Sequence, residues 1–443
     1  MALLIQNCRI VNEGEIRQGD IRIAKGRISA IGNTLSARQG EKALDAKGML
    51  LLPGLIDDQV HFRQPGLTHK ADIFHESRAA AAGGVTSFMD MPNVSPPTLT
   101  MALIEEKRAI AARSSLINYG FYLGATADNL SDIAAAAPDK IAGIKIFMGA
   151  STGDMLVNDE KTLEKIFTVA PTLIATHCEN SARIARRLNE AKKYYGDNIP
   201  PAAHAEIRDA KACYELSSLA VALAKKTGAR LHILHITTAR ELDLFDNGER
   251  SKKTVTAEAC AHHLLFDKSD YATLGMQIKC NPAIKSRADR DALRAAVAAG
   301  VIDVLATDHA PHLPEEKNLA YEKAAAGMPL VEYAMPRFLE LVADGELQIT
   351  DVVERGAHAV ADIFGVAERG YIREGYYADL VLVQETPKGA PTRKKIISKC
   401  GWTPFANRQF RHRVHTTIVN GEIVRQDDKI HGATCGLALA FAR

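Results

Sequence analysis

Eight apolar runs rich in Val, Ile and Ala, alternating with longer Ala/Glu/Lys/Arg-rich stretches, restrict the fold of this chain more than any other feature. They occupy 54–62, 85–91, 119–125, 141–149, 172–178, 230–236, 254–260 and 302–308. Strands covered on both faces read as continuous apolar runs, because neither face meets water. The stretches 71–83, 98–115, 159–169, 202–227 and 286–299 between them have the length and composition of crossover helices. Eight strands with intervening crossovers predict an α/β chain whose centre is a closed (β/α)8 TIM-type barrel. An open doubly wound sheet would need a glycine-rich phosphate turn after an early strand, and none is present.

The two ends follow a different pattern. Residues 3–11, 20–31 (broken at Lys25-Gly26) and 43–52 (broken at Lys47-Gly48) read as short strands with hairpin turns, and 377–384 and 414–425 match them, the latter broken at Asn420-Gly421. These segments predict one small β-sandwich made by residues 1–52 and 371–443, flanking a barrel of residues 53–370. A chain of 443 residues with 47% hydrophobic content has the material for both.

The balance of 55 Lys and Arg against 53 Asp and Glu leaves no electrostatic footprint for nucleic acid, so small neutral or anionic ligands are the expected partners. The seven cysteines are scattered without a C-x-x-C pair, as expected of reduced thiols in the cytoplasm. Polar residues interrupt the first twelve positions, and no apolar run reaches membrane length, so a soluble cytoplasmic protein is expected.

Catalytic groups of such barrels sit at the C-terminal ends of the strands. Asp57, Gln59 and His61 fall two apart on the first run, pointing to one side of a strand, and Arg63 follows. The second run ends in Asp90 and Asn93, the fourth contains Lys145, and His177, His235 and Asp308 close the fifth, sixth and eighth. Imidazoles and a carboxylate converging from separate strands suit a divalent metal. A single such histidine is as well explained by barrel hydrogen bonding; four strands ending this way are not. Lys145 lies between apolar neighbours in Gly143-Ile144-Lys145-Ile146-Phe147, which favours its neutral, nucleophilic amine and hence carbamate formation with carbon dioxide. Its alternative use is to snorkel to the barrel mouth or pair with an acid. His69, His75, His204, His232, His262, His263, His309, His358, His412, His415 and His431 are assigned to packing and turns. The run Arg393-Lys394-Lys395 reads as a solvated linker, and 313–329 as a mobile loop placed to cover a substrate.

Across nearly its whole length the chain resembles the cyclic amidohydrolases of the amidohydrolase superfamily, the dihydroorotases most closely. The resemblance lies in Pro53-Gly54-Leu55-Ile56-Asp57 through His61-Phe62-Arg63-Gln64-Pro65-Gly66, in Asp90-Met91-Pro92-Asn93 and Ile144-Lys145-Ile146-Phe147, and in Thr176-His177-Cys178-Glu179 and Leu234-His235-Ile236-Thr237. It extends to Lys279-Cys280-Asn281-Pro282 and Ala306-Thr307-Asp308-His309-Ala310-Pro311-His312. It implies that His61, carbamylated Lys145, His177, His235 and Asp308 hold one or two zinc ions, and that Arg63, Asn93, Asn281 and His312 contact substrate. The implied reaction is the reversible hydrolysis of the cyclic amide of (S)-dihydroorotate to N-carbamoyl-L-aspartate in de novo pyrimidine biosynthesis. A metal-bound hydroxide attacks the ring carbonyl and Asp308 carries the proton. A homodimer or higher oligomer, and association with aspartate transcarbamoylase, are further implied.

One position departs from the family. Where His-x-His is usual on the first strand, this chain has Gln59-Val60-His61, and an amide is a poorer zinc ligand than imidazole. The outer site then keeps His61, Lys145 and Asp308 and is expected to be weak, rearranged or empty, whereas the inner site, with Lys145, His177 and His235, is intact. Two other readings stay open: a non-catalytic dihydroorotase-like subunit, and a related allantoinase or dihydropyrimidinase. Relatives of the last kind generally lack an arginine at the position of Arg63.

Overall fold

The computed structural model describes residues 2–149, 155–391, 395–406, 408–432 and 434–443; Arg393 and Lys394 of the basic run lie outside them. All eight apolar runs form barrel strands: Leu55–Val60, Val85–Asp90, Asn118–Phe121 continuing as Leu123–Gly124, Ile144–Gly149, Ile174–Glu179, Leu231–Ile233, Val255–Cys260 and Val304–Ala306. Neighbours pair in parallel around the ring. The ring closes where Val60 bridges His309 and the His61 amide donates to the His309 carbonyl at 2.8 Å. Asp57 reinforces this seam, accepting the Thr307 hydroxyl at 2.6 Å and its amide at 3.1 Å.

The crossover helices begin where short polar side chains cap them. Asp72, Thr100, Asp159 and Asp209 each accept an amide from the first turn of Ile73–Ala82, Met101–Ser114, Glu160–Val169 and Ala210–Thr227. Ser286 and Asp289 form a reciprocal capping box on Arg287–Ala299. Each helix then lays its apolar side on the barrel; Leu163, Ile166 and Phe167 of Glu160–Val169 share the main core with Ile144 and Ile146.

Both ends of the chain contribute to one nine-stranded sheet. Its middle is the antiparallel pairing of Leu50–Pro53 with Leu380–Pro391, so the N- and C-terminal segments are stitched together strand to strand. Side chains alternate on these strands. Leu51, Leu380 and Leu382 enter the sandwich's own core with Ile5, Ile21 and Ile418, whereas Leu50, Leu52, Val381 and Val383 join the barrel's main core. The sheet is therefore buried on both faces at its centre. Asn420-Gly421 turns the hairpin as expected, with φ of 50° and 79°. Lys25-Gly26 does the same between Glu15–Ala24 and Arg27–Gly32. Lys47-Gly48 does not. The strands on either side of it, Lys42–Asp45 and Leu50–Pro53, both run parallel to Leu3–Asn12 rather than pairing with each other. The turn therefore steps the chain along one partner, a role that local turn chemistry does not distinguish from a hairpin.

Two later segments return to the barrel. Trp402 donates its indole N–H to the His312 carbonyl at 2.7 Å, close to the C-terminal strand ends. Leu439 and Phe441 pack beside Met89, Tyr122 and Leu173, with Ala438 bridging Tyr119. No helix is long and apolar enough to cross a membrane, among the described residues.

Candidate active site

Gln59, His61, Arg63, Asn93, Lys145, Phe147, His177, His235, Asn281 and Asp308 line one cavity at the C-terminal end of the barrel. Nine strand-borne or strand-following positions singled out in the sequence thus converge. His312 stands just behind this wall, its Nε2 at 3.1 Å from Arg63 Nη2 and from the Ala326 carbonyl.

Two pairs of potential ligands face each other. His177 Nδ1 lies 3.0 Å from His235 Nε2, and His61 Nε2 lies 3.1 Å from Asp308 Oδ1. Burial lowers the pKa of both His177 and His235, so their rings are neutral and present lone pairs. Their outer nitrogens are oriented. His177 Nε2 points at Glu179 Oε2, 3.3 Å away, while His61 holds Asn93 Oδ1 at 2.8 Å on Nδ1 and faces the Asp308 carboxylate with Nε2. A proton or a metal ion between His61 and Asp308 satisfies this contact, and the donor set of the cavity fits a divalent metal. Lys145 is close enough for its charge to act on Asp308, His177 and His235. Burial brings its ammonium down to about 8, so the neutral amine is accessible near neutral pH.

Backbone strain concentrates here. Arg63, His235 and Asp308 have φ of 65°, 39° and 48°, a region that costs side-chain-bearing residues about 1–3 kcal/mol each. All three follow or end barrel strands, where the chain must turn sharply to aim a side chain into the cavity. The first strand is also irregular: pairing passes from Asp57↔Phe88 to Val60↔Asp90, which leaves an extra residue on that strand. This bulge separates Asp57, committed to the seam, from Gln59 and His61, which reach the cavity.

Several partners are not evident from the strand-end pattern. Burial pushes the Glu179 carboxyl up, but Arg208 and His177 pull it down further, to about 2, so it stays anionic behind His177. Its spacing of two from His177 on the same strand is the signal that identifies it. Asp90, which the strand-end pattern does single out, is a positioning group: it pairs with the fully buried Lys107 at 2.5 Å and accepts the Phe62 amide at 2.7 Å. His309 is structural, as expected, held between Glu76 and the Leu330 amide at 2.9 Å each. His262 and His263 differ from the packing role expected of them, since ring nitrogens on both lack partners next to Cys260.

Residues 313–329 cover the site. Ala326 and Gly327 form part of its wall, and Gly327, at φ 139°, sits so close that a Cβ would lie 2.6 Å from the Ala310 carbonyl. The loop is pinned instead of loose: the buried Lys317 ammonium donates to the carbonyls of Lys279, Ala325 and Gly327 at 2.8–2.9 Å. The innermost space among the site's side chains is about 40 Å³, room for ions or water, and Ala326 and Gly327 of this segment form part of its rim.

The sequence model of the amidohydrolase family matches residues 50–424. The chain is 35% identical to a dihydroorotase of Halobacterium salinarum, covering 89% of this chain and 90% of that protein. It is 30% identical to an allantoinase of Bacillus velezensis over 96% and 94% of the two. The L-hydantoinase (dihydropyrimidinase) of Arthrobacter aurescens superposes with a TM-score of 0.94 at 25% identity, covering 99% of each chain.

Proposed function

From the premise that this chain belongs to the amidohydrolase family and is a hydrolase acting on cyclic amides, we propose that it is a dihydroorotase, interconverting dihydroorotate and N-carbamoyl-aspartate. The observation that carries this reading is Arg63. Its guanidinium is buried in the cavity wall, and its polar contacts are neutral, the Pro311 carbonyl at 3.2 Å and His312. No carboxylate pairs with it, among the described residues. Burial works against its charge, which Asp308, Asp90 and Glu316 favour only from a distance, and a planar fork facing a cavity suits a carboxylate ligand. Dihydroorotate carries a carboxylate; hydantoin and allantoin rings do not.

The remaining roles follow from position. The Pro311 carbonyl accepts from Arg63 Nε and His312 packs against the fork, while Asn93, whose Oδ1 is engaged by His61, offers its amide nitrogen to the substrate. Asn281 Oδ1 is buried without a partner and is placed to accept a ring N–H. Together these contacts hold the ring over Asp308, the positioning contribution to the rate. Asp308 takes the proton of the attacking water at its carboxylate and returns it to the departing ring nitrogen. His61, Lys145, His177, His235 and Asp308 would hold one or two zinc ions, which polarise the scissile carbonyl and lower the pKa of water. Lys145 would join this set as a carbamate: its neutral nitrogen bonds to the carbon of carbon dioxide and releases a proton, converting a cation into an anionic ligand.

We place the protein in a homodimer or higher oligomer in the cytoplasm, with aspartate transcarbamoylase as a candidate partner, and divide it into a barrel of 53–370 and a sandwich of 1–52 with 371–443. The activity test is direct. Purified protein supplied with zinc and bicarbonate is expected to hydrolyse dihydroorotate, seen as loss of its ultraviolet absorbance, and Asp308→Ala to abolish this. Turnover of allantoin or hydantoin in its place would reassign the substrate. No turnover at all would favour a non-catalytic subunit.

A further inference from the structure

Next to the cavity, and sharing none of its proposed ligands, lie a cysteine and two histidines that can coordinate a metal. Cys260 ends the seventh barrel strand, and His262 and His263 follow in the turn; all three are at most 3% exposed. One ligand atom from each lies within 4.8 Å of the others. His263 Nε2 is 3.0 Å from the Pro282 carbonyl, which can only accept, so the ring proton sits on Nε2 and Nδ1 is a bare lone pair. That Nδ1 has no partner, and His262 makes no hydrogen bond of good geometry, with the Thr307 backbone as the nearest polar group acting on it. An imidazole whose far N–H is fixed by a backbone carbonyl, with its near nitrogen left open toward other donors, is the usual arrangement of a metal-ligating histidine. Leaving such nitrogens buried and unsatisfied is unfavourable, and a bound ion would remove that penalty.

We propose that Cys260, His262 and His263 form a metal-binding position, separate from the His61, Lys145, His177, His235 and Asp308 cavity, that takes a zinc-class divalent ion through one thiolate and two imidazoles. The donors define the ion class: one sulfur and two nitrogens favour zinc or cobalt over the oxygen-seeking magnesium and calcium. Binding deprotonates the Cys260 thiol, which otherwise donates to Glu258 Oε1 at 3.1 Å. Gln59 links the two positions. Its Oε1 lies 3.7 Å from Cys260 Sγ, and its Nε2 lies 3.3 Å from Asp308 Oδ1. The residue that replaces the usual outer-site histidine therefore faces the sulfur donor. The nearby Asp58, His232 and Glu258 cluster is a poorer candidate, because His232, although burial opposes its charge, is brought up to about 9 by Asp58 and Glu258, so a proton already neutralises that group.

Full-length protein stripped with a chelator and reloaded with Co²⁺ tests this whether or not the chain is a dihydroorotase. Wild type and Lys145→Ala are both expected to show a near-ultraviolet thiolate-to-cobalt charge-transfer band, and Cys260→Ser to lose it along with one bound ion per chain. Absence of the band in wild type, or its persistence in Cys260→Ser, overturns the proposal. Should Cys260→Ser fail to fold, X-ray absorption of zinc-loaded wild type decides: a sulfur neighbour at about 2.3 Å is expected, and a shell of nitrogen and oxygen alone overturns the site.

Discussion

Gln59 sets what the outer half of the proposed zinc site can hold. Its amide spans from Asp308 Oδ1 to Cys260 Sγ, filling space that an imidazole on the same strand would use to ligate. Gln59→His is therefore expected to raise affinity at the His61–Asp308 pair, measured by competition with a zinc-selective chelator; unchanged affinity and stoichiometry would place the residue outside the metal's reach. Arg63 governs substrate choice instead. Arg63→Lys keeps the charge but loses the planar fork, and loss of a charge-assisted hydrogen bond, about 1.5–3 kcal/mol, corresponds to a fall in kcat/KM for dihydroorotate of roughly 10–100-fold. Zinc content should stay the same, and an equal fall with a ring lacking a carboxylate would count against the assigned contact. His61, His177, His235 and Asp308 are legible in the sequence because a polar residue closing an apolar run is a local signal, and Lys145 because a lysine set inside an apolar run is another. Asp58 and the partner of Asp90 are not: a one-residue bulge changes which way the first strand presents its side chains, and Asp90 pairs with a lysine buried on the following helix.

At the level of elements, the cover of the site is the loop after the eighth strand. Polar composition alone suggests mobility for 313–329, yet Lys317 gathers three carbonyls that would otherwise be hard to satisfy, one of them Lys279 from outside the loop. The signal is invisible in sequence because it depends on one lysine turning inward, and exposed lysines are the norm. Replacing it by an isosteric apolar residue, Lys317→Met, removes the donors while keeping the packing, so the carbonyls lose their partners. Limited proteolysis should then cut within 313–329 several-fold faster than in wild type, and kcat/KM should fall at constant zinc content. A cleavage rate equal to wild type would show that the loop is held by other contacts.

Across the whole molecule, the barrel and the terminal sheet are locked at the end remote from the site. Arg250 pairs with Glu354 and, at 2.6 Å, with Asp362; Glu354 in turn accepts from His358 Nδ1 at 3.1 Å. His358 Nε2 reaches Asn12 Oδ1, also at 3.1 Å, on the last residue of the Leu3–Asn12 strand, and its ring stacks on Tyr371 with centroids 4.2 Å apart. The chain thus connects barrel residues to both sequence segments of the sheet. The eight-strand pattern anticipates the barrel and the hairpin turns anticipate the sheet, but this contact depends on side chains hundreds of positions apart, which no local periodicity encodes. It carries a pH signature. Burial alone would raise the Glu354 carboxyl, but the His358 and Arg250 contacts outweigh it and bring the group from 4.5 down to about 2. As pH falls through 4.5 the unfolded chain takes up this proton while the folded chain does not, so the stabilisation is complete above 4.5 and is lost as pH approaches 2. Glu354→Gln should accordingly lower the urea midpoint at neutral pH, and the gap to wild type should shrink at about pH 3. A gap of the same size at both pH values would mean that the mutation acts through packing, with the ionised carboxylate contributing nothing to the joint.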